Sequence, residues 1–210
     1  MIKNLILDYN GVISDDFELV YLSSMEVLRK FGAKPLTKKE FEKEFTIPVD
    51  KFYKKYLPKT QSGKCNSMYF EIYKRIGKPA IFNKVKETLT HLKEKNINLY
   101  LMSAHKNEYI ISELLEFGID TSIFKDILGD VSNKQECLKQ LSKSKKMRPS
   151  ETIYVGDTEH DIMIAKKTGI LCIASTYGYR KKQQLLPFNP DYFINDFAQL
   201  KKIDKFVYNY

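Results

Sequence analysis

From residue 83 onward the chain alternates between two patterns. Short apolar runs (Leu99–Met102, Ile127–Leu128, Ile153–Val155, Leu171–Ala174 and Tyr192–Ile194) are separated by stretches with helical periodicity. The first of these stretches carries Val85, Leu89 and Leu92 on one face. Others span about 107–117, stopping at Gly118, then 133–143, and 159–168, stopping at Gly169; a last one is capped by Asp196. A continuous apolar run suits a strand buried on both faces. Strands that alternate with helices can bury both faces only as a parallel sheet with right-handed crossovers. Residues 2–7, continuously apolar over Leu5–Leu7, supply one more strand of this kind.

Between that first strand and residue 83 the pattern is different. Asp15 and Asp16 cap a helix ending at Gly32, with Phe17, Tyr21, Leu28 and Phe31 at helical spacing. Residues 37–76 are rich in lysine and aromatics. They read as helical near 38–45 and 66–76, and Pro48, Pro58 and Pro79 interrupt them. The expected architecture is an α/β, Rossmann-like doubly wound parallel sheet built from residues 1–14 and 83–210. An α-helical domain, residues 15–82, is inserted after the first strand. A length of 210 residues suffices for one core with a smaller appendage. There are no internal repeats.

In such sheets ligands bind at the carboxyl ends of the strands, so the polar residues following each apolar run are the informative ones. These are Asp8 after the first strand and Ser103 after Leu99–Met102. Lys134 stands at a helix start, and Gly156, Asp157 and, one turn on, Asp161 follow Ile153–Val155. Singly, each reads as a cap or a solvated residue. Together they bring three carboxylates, a hydroxyl and an ammonium to one edge.

The segments LILDYNGVI and LYLMSA, Lys134, and the segment IYVGDTEHDIMIAKKTGI resemble the haloacid dehalogenase-like (HAD) hydrolase superfamily. The helical insertion resembles the C1 cap of its phosphoglycolate-phosphatase-like subgroup. The resemblance implies a Mg2+-dependent phosphatase acting on a phosphorylated small molecule through an aspartyl-phosphate intermediate. Asp8 would be the nucleophile, a role a carboxylate can fill at phosphorus. Ser103 would hydrogen-bond a phosphoryl oxygen, and Lys134 would neutralise the phosphate and orient Asp8. Asp8, Asp157, Asp161 and the backbone carbonyl of Asn10 would supply the hard oxygen donors that magnesium prefers.

Most HAD phosphatases carry an acid two residues after the nucleophile, to protonate the leaving group and then activate water. Here that position is Asn10, whose amide does not titrate. Three readings stay open: a weak or specialised phosphatase, a phosphotransferase, and a phosphate-sensing or partner-binding module with little turnover. A dehalogenase fits less well, because it has no use for the Asp157 and Asp161 pair. The Asn10-Gly11 step is also prone to deamidation, which would create an acid at position 10.

Among neighbouring residues, Tyr9 could pack on substrate, His105 reads as a solvent-facing helix start with contact to substrate as its alternative, and His160 as structural or at the rim. Thr158 reads as a hydrogen-bonding support. Phe52, Tyr53, Lys54, Lys55 and Tyr56 form an amphipathic helix or a basic lid over an anion. The net charge is +9, and the basic clusters Lys51–Lys64, Lys143–Arg148 and Arg180–Lys182 form no continuous stripe. The charge reads first as solubility in a lysine-rich chain, with an anion-attracting field as the functional alternative; a nucleic-acid partner is not expected, with a nucleic-acid-end phosphatase as the minor alternative. The N-terminus carries no signal-peptide pattern, and apolar runs of about five residues are far short of a membrane span. Cys65, Cys137 and Cys172 show neither zinc spacing nor a disulfide framework, so reduced thiols and a cytoplasmic location are expected.

Overall fold

The computed structural model describes residues 1–46, 49–57 and 62–206. Of the features expected from the sequence, Pro48, Pro58 and Lys59 lie outside these residues. The chain divides into two compact units, Met1–Asp15 with Ile81–Tyr210, and Asp16–Ala80.

The larger unit holds a six-stranded sheet: β1 (Asn4–Leu7), β2 (Asn98–Met102), β3 (Phe124–Leu128), β4 (Thr152–Gly156), β5 (Leu171–Ser175) and β6 (Tyr192–Ile194). The spatial order is β3-β2-β1-β4-β5-β6, and every pairing is parallel. Register is tight at the centre, where Leu5 pairs with Leu99 and Ile153, and Leu7 with Leu101 and Val155. The order reverses beside β1. Connections first run outward to β2 and β3, then return on the other side through β4. This reversal opens a crevice at the carboxyl ends of β1 and β4.

Numbered along the chain, the smaller unit contains α1 (Phe17–Lys30), α2 (Lys38–Glu44), α3 (Val49–Tyr56) and α4 (Ser62–Ile76). The larger unit contains α5 (Val85–Glu94), α6 (Asn107–Glu116), α7 (Lys134–Ser144), α8 (Glu159–Thr168) and the single turn α9 (Lys182–Leu185).

Side chains alternate across a strand, and the sheet uses this to make two cores. On one face Leu5, Leu7, Leu99, Leu101, Ile153 and Val155 pack with Val85, Leu89 and Leu92 of α5 and Ile110 and Leu114 of α6. On the other, Ile6, Tyr100, Met102, Tyr154 and Cys172 pack with Leu138 and Leu141 of α7 and Ile162 and Ala165 of α8. The sheet is thus doubly wound.

Several details differ from the sequence reading. β3 begins three residues before Ile127, because an edge strand is half-exposed and need not read as an apolar run. The final segment, Phe197–Phe206, is 3-10 rather than α-helical, with an irregular residue at Lys202. Phe17 and Tyr21 on α1 and Phe31 just past its end are only half-buried, while Leu19, Val20, Met25, Val27 and Leu28 are buried. The rings of Phe17 and Tyr21 flank Phe41 of α2 at centroid distances of 5.8 and 5.5 Å, so α1 is covered on more than one side within its unit. The smaller unit continues this aromatic core through Phe45 and Phe52. A capping box starts α2: Thr37 accepts from the Glu40 amide and Glu40 returns to Thr37. Among the described residues, no helix is long and apolar enough to cross a membrane.

Candidate active site

β1 delivers Asp8 at its carboxyl end, where the Asp8 amide still donates to the Val155 carbonyl at 2.9 Å. The chain then folds back on itself. The Tyr9 carbonyl accepts from the amides of Ile13 and Ser14, both at 2.9 Å, and the Gly11 amide donates to Ser14 at 2.9 Å. Gly11 has φ +74°, and a Cβ there would lie 2.0 Å from Asp157 Oδ2. Glycine is required twice over, for the left-handed backbone and for the close approach to a carboxylate.

The Asp8 carboxylate is almost fully buried and accepts from the Tyr9 amide (2.7 Å, Oδ1) and from Lys134 Nζ (Oδ2). Lys134 is the first residue of α7, a helix that Asn133 caps through the Glu136 amide. Its ammonium is also buried and makes a second bond, to Asp161 Oδ1 at 2.9 Å. Asp161 sits in the first turn of α8 in a capping box with Thr158, whose hydroxyl donates to Oδ2 at 2.5 Å. The Tyr154 hydroxyl adds a bond to Oδ1 at 2.9 Å. Both Asp161 oxygens are therefore well supplied with donors, and Lys134 is gripped between two carboxylates. Asp157 accepts the Tyr179 amide at 2.7 Å. On the β2 side, Ser103 donates its hydroxyl to Asn10 Oδ1 at 3.0 Å and accepts the His105 amide at 3.1 Å.

Oxygens of Asp8, Asp157 and Asp161 lie within 4.8 Å of one another, all buried. Three carboxylates thus face one ammonium. Burial, reinforced by the charge of Asp161 and opposed by Lys134, pushes Asp8 up to about 7. Burial and the Asp161 and Asp8 charges push Asp157 well above the usual carboxylate range. For Asp161, burial is outweighed by Lys134 and by the Thr158 and Tyr154 hydrogen bonds, so it is held low. For Lys134, burial is outweighed by Asp161 and Asp8, so it stays charged. Two protons or one divalent cation are needed to balance the cluster. Its hard, buried oxygen donors fit a small divalent cation.

Asp8, Lys134, Asp157 and Asp161 are brought together, and Asn10 and Ser103 are joined to each other beside them. Other expectations change. Tyr9 is fully buried, with its hydroxyl on Glu113, rather than presented to a substrate. His105 is buried instead of facing solvent, because the Asp130 amide takes its carbonyl at 2.7 Å and its ring lies against Tyr9. His160 is half-exposed, and Thr158 supports Asp161. In α3, Phe52 and Tyr53 are buried while Lys54 and Lys55 are exposed, Lys55 paired with Glu44. The sequence reading did not pick out Tyr154, Glu113 or the segment after β5. In that segment a Cβ on Gly178 would lie 2.3 Å from the Gly11 carbonyl and 2.4 Å from Asp157 Oδ2. A glycine just past a buried strand was the available signal, since it often marks close backbone approach.

The sequence pattern of haloacid dehalogenase-like hydrolases matches residues 5–175. A phosphoglycolate phosphatase from Haemophilus influenzae is 32% identical over 128 residues, 59% of this chain and 57% of that protein. The chain thus matches little more than half the length of that relative. A candidate pyrophosphatase named PpaX, from Caldanaerobacter subterraneus, is 28% identical over 97% of this chain and 95% of its own length. The fold is shared with a haloacid dehalogenase-like hydrolase from Streptococcus pneumoniae, at TM-score 0.85 and 21% identity, over 97% of this chain and 98% of that one. The matched segment starts within β1, runs through Ser103, Lys134 and Asp161, and ends with β5, so the strands that carry the charged cluster are those of the haloacid dehalogenase-like hydrolase family, to which this chain belongs.

Proposed function

We propose that the protein is a divalent-metal-dependent phosphatase acting on a phosphorylated small molecule. The observation that carries this reading is the buried Asp8 carboxylate, held by Lys134 within 4.8 Å of two further carboxylates at the point where strand order reverses. The names of the curated relatives point the same way.

Asp8 attacks phosphorus, the bond to the ester oxygen breaks, and an aspartyl phosphate forms. Lys134 keeps Asp8 oriented and offers its charge to the phosphoryl oxygens. Ser103 turns its hydroxyl from Asn10 to a phosphoryl oxygen as substrate enters. Asp8, Asp157, the Asn10 carbonyl and Asp161 would hold Mg2+, which when bound neutralises phosphoryl charge. Asn10 holds Ser103 but carries no transferable proton, so the leaving oxygen takes its proton from water; a second water then attacks phosphorus, the bond to Asp8 breaks, and inorganic phosphate leaves with the carboxylate restored. The helical unit serves as the cap that selects substrate. Cytoplasmic location belongs to the same reading.

An assay with p-nitrophenyl phosphate and MgCl2 tests it, since nitrophenolate leaves with little need of an acid. Turnover is expected from the parent and none from Asp8→Ala. Equal rates in both would reject the assignment. The amide at position 10 favours one second reading, a phosphate-sensing module, for which phosphate binding without turnover of any ester would be the signature.

A further inference from the structure

A glutamate stands on the buried stripe of α6. Ile110 and Leu114 are fully buried on that face, and Glu113, between them in helical register, is buried too. An unpaired carboxylate there would be costly. Its partners come from the two loops that build the site. The Tyr9 hydroxyl donates to Oε2 at 2.7 Å, and His105 Nε2 faces Oε1 at 3.4 Å. The Tyr9 and His105 rings lie nearly parallel, 12° apart, with centroids 6.0 Å apart.

Tyr9 separates Asp8 from Asn10, and its own amide bonds the Asp8 carboxylate. His105 lies two residues past Ser103, and its amide bonds the Ser103 hydroxyl. One carboxylate therefore grips, by side chain, the two residues whose backbone amides orient the nucleophile and the hydroxyl. The Ser103–Asn10 bond joins the same two loops at the mouth. We infer that Glu113 is a positioning residue for phosphoryl transfer, locking the loop after β1 to the loop after β2 through Tyr9 and His105. This rests on the phosphatase reading. The physical basis is that in-line displacement tolerates little misplacement: about 1 Å can cost about a hundredfold.

Tyr9→Phe removes one hydroxyl and leaves the rings in place. Glu113→Ala removes the grip, and Glu113→Gln retains an acceptor for Tyr9. With p-nitrophenyl phosphate and MgCl2, Tyr9→Phe and Glu113→Ala are expected to lower kcat by about ten- to a hundredfold, with KM changed less than about twofold. Glu113→Gln should recover most of the loss. Circular dichroism and thermal unfolding accompany each assay. Variants that fold and keep the parent kcat, even with lowered melting temperatures, would reduce Glu113 to a packing role and overturn the inference while leaving the phosphatase reading intact. A parent without Asp8-dependent turnover would overturn both. If Glu113→Ala does not fold, the Tyr9→Phe and Glu113→Gln pair decides the matter alone.

Discussion

At position 10 the protein carries an amide whose oxygen is already occupied by Ser103. This sets a sharp expectation for Asn10→Asp. General acid–base help is worth about 10²- to 10⁴-fold, so the variant should gain about that much kcat/KM on an alkyl phosphate and little on p-nitrophenyl phosphate. Paired assays on the two esters read the difference, and equal gains on both would mean that proton transfer is not what Asn10 lacks. Deamidation of Asn10 would mimic this change. The structure opposes it, because the Gly11 nitrogen that would attack the amide is tied to Ser14. Lys134 is the other decisive residue. Lys134→Met keeps the length of the side chain but leaves Asp8 and Asp161 uncompensated in a buried site. Breaking a buried pair in this way typically costs about 3–5 kcal/mol. Urea unfolding should show a loss of that order, and turnover should vanish.

Elements differ in how plainly the sequence announces them. β1, β2, β4 and β5 were legible because a strand buried on both faces must be continuously apolar. The half-exposed edge strand β3 was legible only at its end. Asp8, Ser103, Lys134, Asp157 and Asp161 could be picked out because a parallel sheet puts its strand ends on one edge. Tyr154 and Glu113 could not, since their importance depends on what lies across the fold, and Gly178 was signalled only by its place just past a buried strand. Gly178 makes a clear test at this scale. An alanine Cβ would meet the Gly11 carbonyl and the Asp157 carboxylate at once. Gly178→Ala should destabilise by about 1–3 kcal/mol, as overpacking does. It should also weaken Mg2+ binding, measured by calorimetry; unchanged affinity would show that the segment after β5 does not shape the acidic cluster.

For the molecule as a whole, the acidic cluster couples folding to pH. Asp8 rises from 3.8 in the unfolded chain to about 7, and Asp157 rises as well. The folded state therefore binds more protons than the unfolded one in that window. The contribution of Asp8 to stability is fully present below pH 3.8 and is lost as pH climbs through about 7, and the raised Asp157 acts in the same direction. A divalent cation bound by the cluster would supply the missing positive charge where protons no longer do. Added MgCl2 should raise the melting temperature by several degrees at pH 8 and much less at pH 5, because at low pH protons already occupy the site. Ligation of the folded state alone is worth about 2.7 kcal/mol at a hundredfold excess over Kd. Thermal unfolding at both pH values, with and without MgCl2, checks the sign, and a larger increment at pH 5 would contradict it.

Sequence alone determined the doubly wound class, the helical insertion and the residues at the strand ends, because periodicity and continuity of apolar residues are local properties imposed by burial. Tertiary structure decided which donors each carboxylate receives, that Tyr9 and His105 turn inward to Glu113, and that glycines 11 and 178 close around Asp157. Those choices depend on distances between segments far apart in the chain, and no local pattern of residues encodes a distance.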